Sequence, residues 1–136
     1  MTKELWINLP VKDLNKSKEF FTRIGFLLNP QYDREEAVSL LIGDKQIVVM
    51  LFPEDTFKDF TGSKITDSSQ STEVLFSVDA ESKEEVDELA KKVVEAGGII
   101  FGEPGGEDWM YGFGFSDLDG HRWNVLHMDM SKMSKE

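Results

Sequence analysis

Only a handful of positions in this 136-residue chain carry groups that do chemistry unaided, and their types narrow the options at once. Cysteine is absent, which removes thiolate nucleophiles, thiolate metal sites and disulfides together. The histidines are His121 and His127. His121 follows Asp119-Gly120 in a hairpin signal, the place of a turn residue. His127 shares strand parity with Trp123 and Val125, opposite to Asn124, which suits a structural or interface role better than ligation. Ser17 and Ser77 have no base nearby in sequence and no Gly-x-Ser-x-Gly elbow, so nucleophilic hydrolysis has no support. Glu73 differs, because alternation with Val74, Phe76 and Val78 puts it on the non-aliphatic face of its strand. A carboxylate there can act as general base or orient a substrate; the position suits a solvated strand-end glutamate equally well. Residues 102–115, GEPGGEDWMYGFGF, are rich in glycine but lack the Gly-x-Gly-x-x-Gly spacing and following helix that phosphate binding needs. They read instead as an aromatic rim, with Trp109, Tyr111 and Phe113 able to close over a ligand or a partner subunit. Glu107 and Asp108 read as solvated acids.

These residues must be held by elements, and the periodicity supplies them. Leu5 to Val11 reads as a strand with Leu5, Ile7, Leu9 and Val11 on one face and Trp6, Asn8 and Pro10 on the other. Asp13 stands as N-cap before Leu14, Ser17, Phe20, Phe21 and Ile24 at helical spacing, and Gly25 marks the stop. Phe26 to Leu28 is extended, Asn29-Pro30 signals a turn, and Ala37 to Ile42 and Gln46 to Phe52 read as strands around Gly43-Asp44. Pro53 to Thr72 is a polar connector in which Phe57 and Phe60 fit a short helical turn. Glu73 to Val78 is a strand. Ser82 with Glu85 forms a capping box before Val86, Leu89, Ala90, Val93 and Val94, and Gly97-Gly98 ends that helix. Ile99 to Phe101, Tyr111 to Ser116 and Arg122 to Met128 follow as strands. Strand, helix and three strands thus occur twice, with Val11-Lys12-Asp13 matching Val78-Asp79-Ala80 and Gly25 matching Gly97. An α+β fold of two fused βαβββ modules follows, curving as a cup with the helices on its convex faces. The modules cover about residues 1–53 and 72–130, joined by a connector over 54–71 and followed by a tail over 131–136.

Lys and Arg total 15 and Asp and Glu 26, a net charge of −11. A field of that sign repels phosphate backbones and anionic headgroups, so neither nucleic acid nor a membrane is an expected partner. With 40% hydrophobic residues, 10 Phe and 3 Trp among them, the chain has the apolar bulk for one core. No apolar run suits a signal peptide or a membrane span, and a cytoplasmic address is the expectation.

Two stretches resemble a known family, the vicinal oxygen chelate superfamily, which includes glyoxalase I, extradiol dioxygenases and bleomycin-resistance proteins. They are Leu9-Pro10-Val11-Lys12-Asp13-Leu14 with Ser17, Phe20-Phe21 and Gly25-Phe26, and Phe115-Ser116-Asp117-Leu118-Asp119-Gly120-His121-Arg122-Trp123. The resemblance covers nearly the whole chain. It implies paired βαβββ modules, a cup open on one side and, in many members, a divalent metal gripped by four strand residues, typically His, Gln or Glu. Carried onto this sequence, the first ligand position falls on Trp6, the second on Val48 or Met50, the third on Glu73 and the fourth on Asn124. Trp, Val and Met bring no hard donor, Glu73 is able to ligate, and Asn124 offers a weak neutral oxygen. Catalytic sites of first-row ions ordinarily use at least three protein ligands, so no metal cofactor is expected. The resemblance also implies a homodimer, because small members commonly pair and share cups.

The expected function is therefore metal-independent binding of a small organic molecule in an apolar cup. Trp6, Asn8, Val48, Met50, Glu73 and Asn124 would line it, with Trp109 and Tyr111 near the mouth. An aromatic or cationic compound would suit Trp6 by stacking and Glu73 by charge. The alternative is a metal-dependent glyoxalase-like lyase/isomerase or dioxygenase with Glu73 as ligand or base. A metal-free enzyme using Glu73 in an epimerase-like proton transfer lies between them, and fold alone decides none of this.

Overall fold

The computed structural model describes residues 1–29 and 36–133; Pro30 of the expected Asn29-Pro30 turn and the end of the tail, 134–136, lie outside them. The chain divides into two compact units, Met1–Asp67 and Ser68–Glu136, a boundary that falls inside the expected connector.

The first unit runs β1 (Trp6–Val11), α1 (Leu14–Arg23), β2 (Leu27–Leu28), β3 (Val38–Ile42), β4 (Ile47–Pro53) and α2 (Glu54–Thr61). Its sheet has the order β1-β4-β3-β2, with β1 and β4 parallel and the other pairs antiparallel. Side chains alternate across a strand, so Leu9 and Val11 share a face with Val49, Leu51, Val38 and Leu40. All six are buried, as are Phe20, Phe21 and Ile24 on the apolar side of α1. The second unit repeats the plan with β5 (Leu75–Asp79), α3 (Lys83–Glu95), β6 (Ile99–Gly106), β7 (Met110–Ser116) and β8 (Arg122–Met128) in the order β5-β8-β7-β6. Its core comprises Val86, Ala90 and Val93 of α3 with Phe113, Phe115, Trp123 and Val125 of the sheet. The two βαβββ modules thus share strand order as well as element order.

Both module helices start and stop by the same devices. The Asp13 carboxylate accepts from the Lys16 N–H at 3.0 Å, and the Ser82 hydroxyl accepts from the Glu85 N–H at 3.0 Å. At the other end Gly25 (φ +101°) and Gly97 (φ +100°) take a conformation that L side chains resist. Their N–H groups donate to the Thr22 and Val94 carbonyls at 3.1 Å, and those of Phe26 and Gly98 to the Phe21 and Val93 carbonyls at 2.9 Å. Each helix so closes in a Schellman motif that turns the chain back toward the sheet.

Several boundaries differ from the sequence reading. Leu5 lies outside β1 and is exposed, and Glu73 sits in a bend before β5 rather than in a strand. The expected helical turn at Phe57 and Phe60 is the full helix α2, tied down by an edge-on contact of Phe60 with Phe52 at 5.1 Å between centroids. Strand β6 continues to Gly106 because two register shifts opposite Gly114 and Gly112 let it bulge and go on pairing. Among the described residues no helix is long and apolar enough to cross a membrane.

Candidate functional site

Each sheet has a face turned away from its helix, and that open face is where chemistry is available. In the first unit the register aligns Trp6 with Val48 and Asn8 with Met50, so four expected site residues share the open face of one sheet. Trp6 remains 63% exposed, a large aromatic surface left for something to cover. Ser39 pairs with Met50 and belongs to the same face. It is buried, and its hydroxyl has no hydrogen-bond partner among the described residues. A buried polar atom in that state costs about 1–3 kcal/mol, which a ligand able to bond it would relieve. The sequence reading passed over Ser39 because it sits in the apolar run Ala-Val-Ser-Leu-Leu-Ile; its parity with Met50 across the hairpin is the signal that reveals it.

In the second unit Asn124 stands on the open face beside its partners Ser77 and Gly114. One strand step away on the same face, Arg122 lies between Leu75 and Ser116. Its guanidinium sits 4.5 Å from the centre of the Phe101 ring, and its Nε is buried without a hydrogen-bond partner among the described residues. Gly114 makes room for this arrangement: a Cβ there would come within 2.5 Å of the Phe101 ring and 3.1 Å of Asn124 Oδ1. Glu73 lies two residues upstream of Leu75 and is exposed. Counting strand steps, it is about 13 Å along the chain from Ser77, the partner of Asn124.

Of the three expected rim aromatics, Tyr111 and Phe113 lie on the helix face of β7. Tyr111 pairs with His127, on the helix face, and its hydroxyl donates to Asp87 of α3 at 2.6 Å. That hydrogen bond, the largest cause, raises the tyrosine pKa. Trp109 sits in the tight β6–β7 hairpin, where its ring N–H donates to Glu107 at 2.6 Å. The repeating pattern Tyr-Gly-Phe-Gly-Phe held the clue for Tyr111, since Phe113 and Phe115 share its parity and are core residues.

Asp117 organises the approach to β8. It is buried; one carboxylate oxygen accepts from the N–H groups of Asp119 and His121, both at 3.0 Å, and the other from the Trp123 ring N–H at 3.2 Å. Burial pushes its pKa up, while His121 and these donors pull against that. The result is a fixed turn from which Arg122 and Asn124 emerge facing away from the helix.

The sequence model of the Glyoxalase/Bleomycin resistance protein/Dioxygenase superfamily matches residues 5–125, from the start of the first sheet into β8. The chain belongs to this superfamily. Among solved structures, the hypothetical protein SA1046 from S. aureus is 36% identical over 93% of this chain and 94% of its own, with a TM-score of 0.83. A glyoxalase/bleomycin resistance protein/dioxygenase family enzyme from Burkholderia phytofirmans PsJN shares the fold at 15% identity, covering 91% of this chain and 97% of that one with a TM-score of 0.76. So does the genomically encoded fosfomycin resistance protein FosX from Listeria monocytogenes, at 21% identity, 96% and 97% coverage and a TM-score of 0.68. No curated protein matches the chain.

Superfamily membership invites a test of whether the residues present fit a divalent metal. Trp6 and either Val48 or Met50, at the first two ligand positions, bring no oxygen or imidazole. Glu73 and Asn124 do bring oxygens, but Glu73 lies outside the paired strand and Arg122 stands one strand step from Asn124 on the same face, so a dication near Asn124 would meet a guanidinium about 7 Å along the strand. Among the described residues no three of His, Cys, Asp or Glu come together. This donor set does not fit the superfamily's metal.

Proposed function

We propose that this superfamily member binds a small organic molecule against its open sheet faces without a metal. The observation that carries the reading is the make-up of those faces. Ligand positions hold an exposed indole and aliphatic or thioether side chains, while Ser39 and Arg122 keep buried donor atoms that have no hydrogen-bond partner among the described residues. An apolar wall with a few orienting polar atoms is what small organic ligands require. A homodimer is part of the proposal, since Trp6, Leu27, Leu75 and Ile99 are exposed apolar side chains at strand positions, suited to coverage by a second copy.

The test is a panel of aromatic compounds titrated into chelator-treated protein, followed by tryptophan fluorescence and thermal unfolding. Binding should quench the wild-type signal, and Trp6→Leu should weaken it by tenfold or more while leaving unfolding cooperative. Metal-dependent turnover of a hemithioacetal, or metal-dependent ring cleavage of a catechol, would overturn the proposal in favour of the enzyme reading with Glu73 as ligand or base.

A further inference from the structure

We infer that the open face of the second sheet is an anion subsite, and that the molecule bound there carries an acidic head, a carboxylate or a phosphonate, which Arg122 takes. The inference rests on the metal-free reading above and deepens it by naming the ligand's charge. Arg122 is the only arginine in the second unit and the only Lys or Arg on its four strands. In a chain with 26 acidic residues it forms no ion pair among the described residues. Glu73 and Asp79, the carboxylate residues that flank it along the sheet, leave it unbridged.

Its posture defines what it can hold. A guanidinium is planar, with all five N–H groups in the plane, so stacking on Phe101 occupies a face and leaves the donor fork at the edge. Nε is buried and has no acceptor among the described residues, so that nitrogen is desolvated and unsatisfied, and the two Nη groups at the outer edge are the fork a ligand meets. A carboxylate or phosphonate accepts from two parallel N–H groups in this geometry, whereas an amide oxygen or an ammonium does not. Ser77 and Asn124 lie one strand step on along the same face, and Gly114 leaves the space in which Phe101 lies. The acidic head therefore has donors beside it and an aromatic wall next to it. The same positive charge explains why Asn124 makes a poor start for a dication site and a good start for an anion site.

Four probes of one skeleton separate the possibilities by calorimetric titration at low ionic strength: phenylacetate, phenylphosphonate, neutral phenylacetamide and cationic phenethylamine. One or both anions should bind at least tenfold more tightly than phenylacetamide, and their order distinguishes a carboxylate from a phosphonate head. Arg122→Gln should erase the preference by weakening the anions tenfold or more. Arg122→Lys, which keeps the charge but loses the fork, should restore part of it, and Phe101→Leu should weaken the anions several-fold. Equal binding of all four probes to wild type and Arg122→Gln would overturn the anion subsite and leave the small-molecule reading standing. Phenethylamine binding most tightly, and losing affinity in Glu73→Gln, would replace it with a cation site. No binding of any probe at millimolar concentration would overturn both.

Discussion

At the scale of single residues, two positions set the geometry of the proposed binding groups. Asp117 is buried, and desolvation raises its pKa above the ordinary 3.8. Between the ordinary value and the raised one the folded state holds a proton that the unfolded chain has released, so stability falls as pH rises through that window. Asp117→Asn should remove this downward slope, and the difference between urea-unfolding free energies of the two proteins, measured from pH 4 to 7, reads it directly. A difference that does not vary with pH would show that the Asp119, His121 and Trp123 donors cancel the effect of burial, and one that rises with pH that they outweigh it. Gly114 makes the second case. A Cβ there meets the far end of the Phe101 ring, and Phe101 is 42% exposed, so the ring can swing outward at little cost. Gly114→Ala should therefore change stability by less than about 1 kcal/mol yet weaken phenylacetate binding several-fold, because the stack under Arg122 is lost. Denaturation and titration of the same sample separate the two effects.

At the scale of elements, what was legible in the sequence was what neighbouring residues decide. Caps at Asp13 and Ser82, stops at Gly25 and Gly97, and the alternation in β1, β4 and β8 rest on local periodicity and on φ/ψ preference. Gly25→Ala and Gly97→Ala should each cost about 1–2 kcal/mol by shifting the urea midpoint, and by similar amounts, because the strain is the same motif used twice. Unequal costs would show that the 3.4 Å approach of Leu118 to Gly97 adds a packing term. The illegible parts depend on register between distant strands. Tyr111 looked like a rim residue until pairing with His127 put it on the helix face, and Ser39 looked like core until pairing with Met50 put it among the site residues. Arg122 escaped notice because its meaning needs three facts at once: Phe101 across a bulge, Gly114 without a side chain, and no ion pair to it among the described residues.

At the scale of the whole molecule, one module plan has been used twice, and the two open faces have diverged. The first is neutral and aromatic, the second carries a guanidinium. Such divergence of side chains on a repeated backbone is how one scaffold serves many chemistries. Exposed apolar side chains at strand positions call for a second copy, and sedimentation equilibrium should give twice the chain mass, with Trp6→Glu shifting the population toward monomer. The central claim, the proposal that this superfamily member works without a divalent metal, is tested most directly by thermal unfolding of chelator-stripped protein. The scans are run with and without Ni²⁺, Zn²⁺, Mn²⁺ and Fe²⁺, beside elemental analysis of the protein as purified. An ion a hundredfold above its dissociation constant would stabilise a true site by about 2.7 kcal/mol, a shift on the order of 10 °C. Metal well below one ion per chain, with no such shift for any of the four, is the expected result. Near-stoichiometric metal with a shift of that size would contradict it and return Glu73 and Asn124 to the role of ligands.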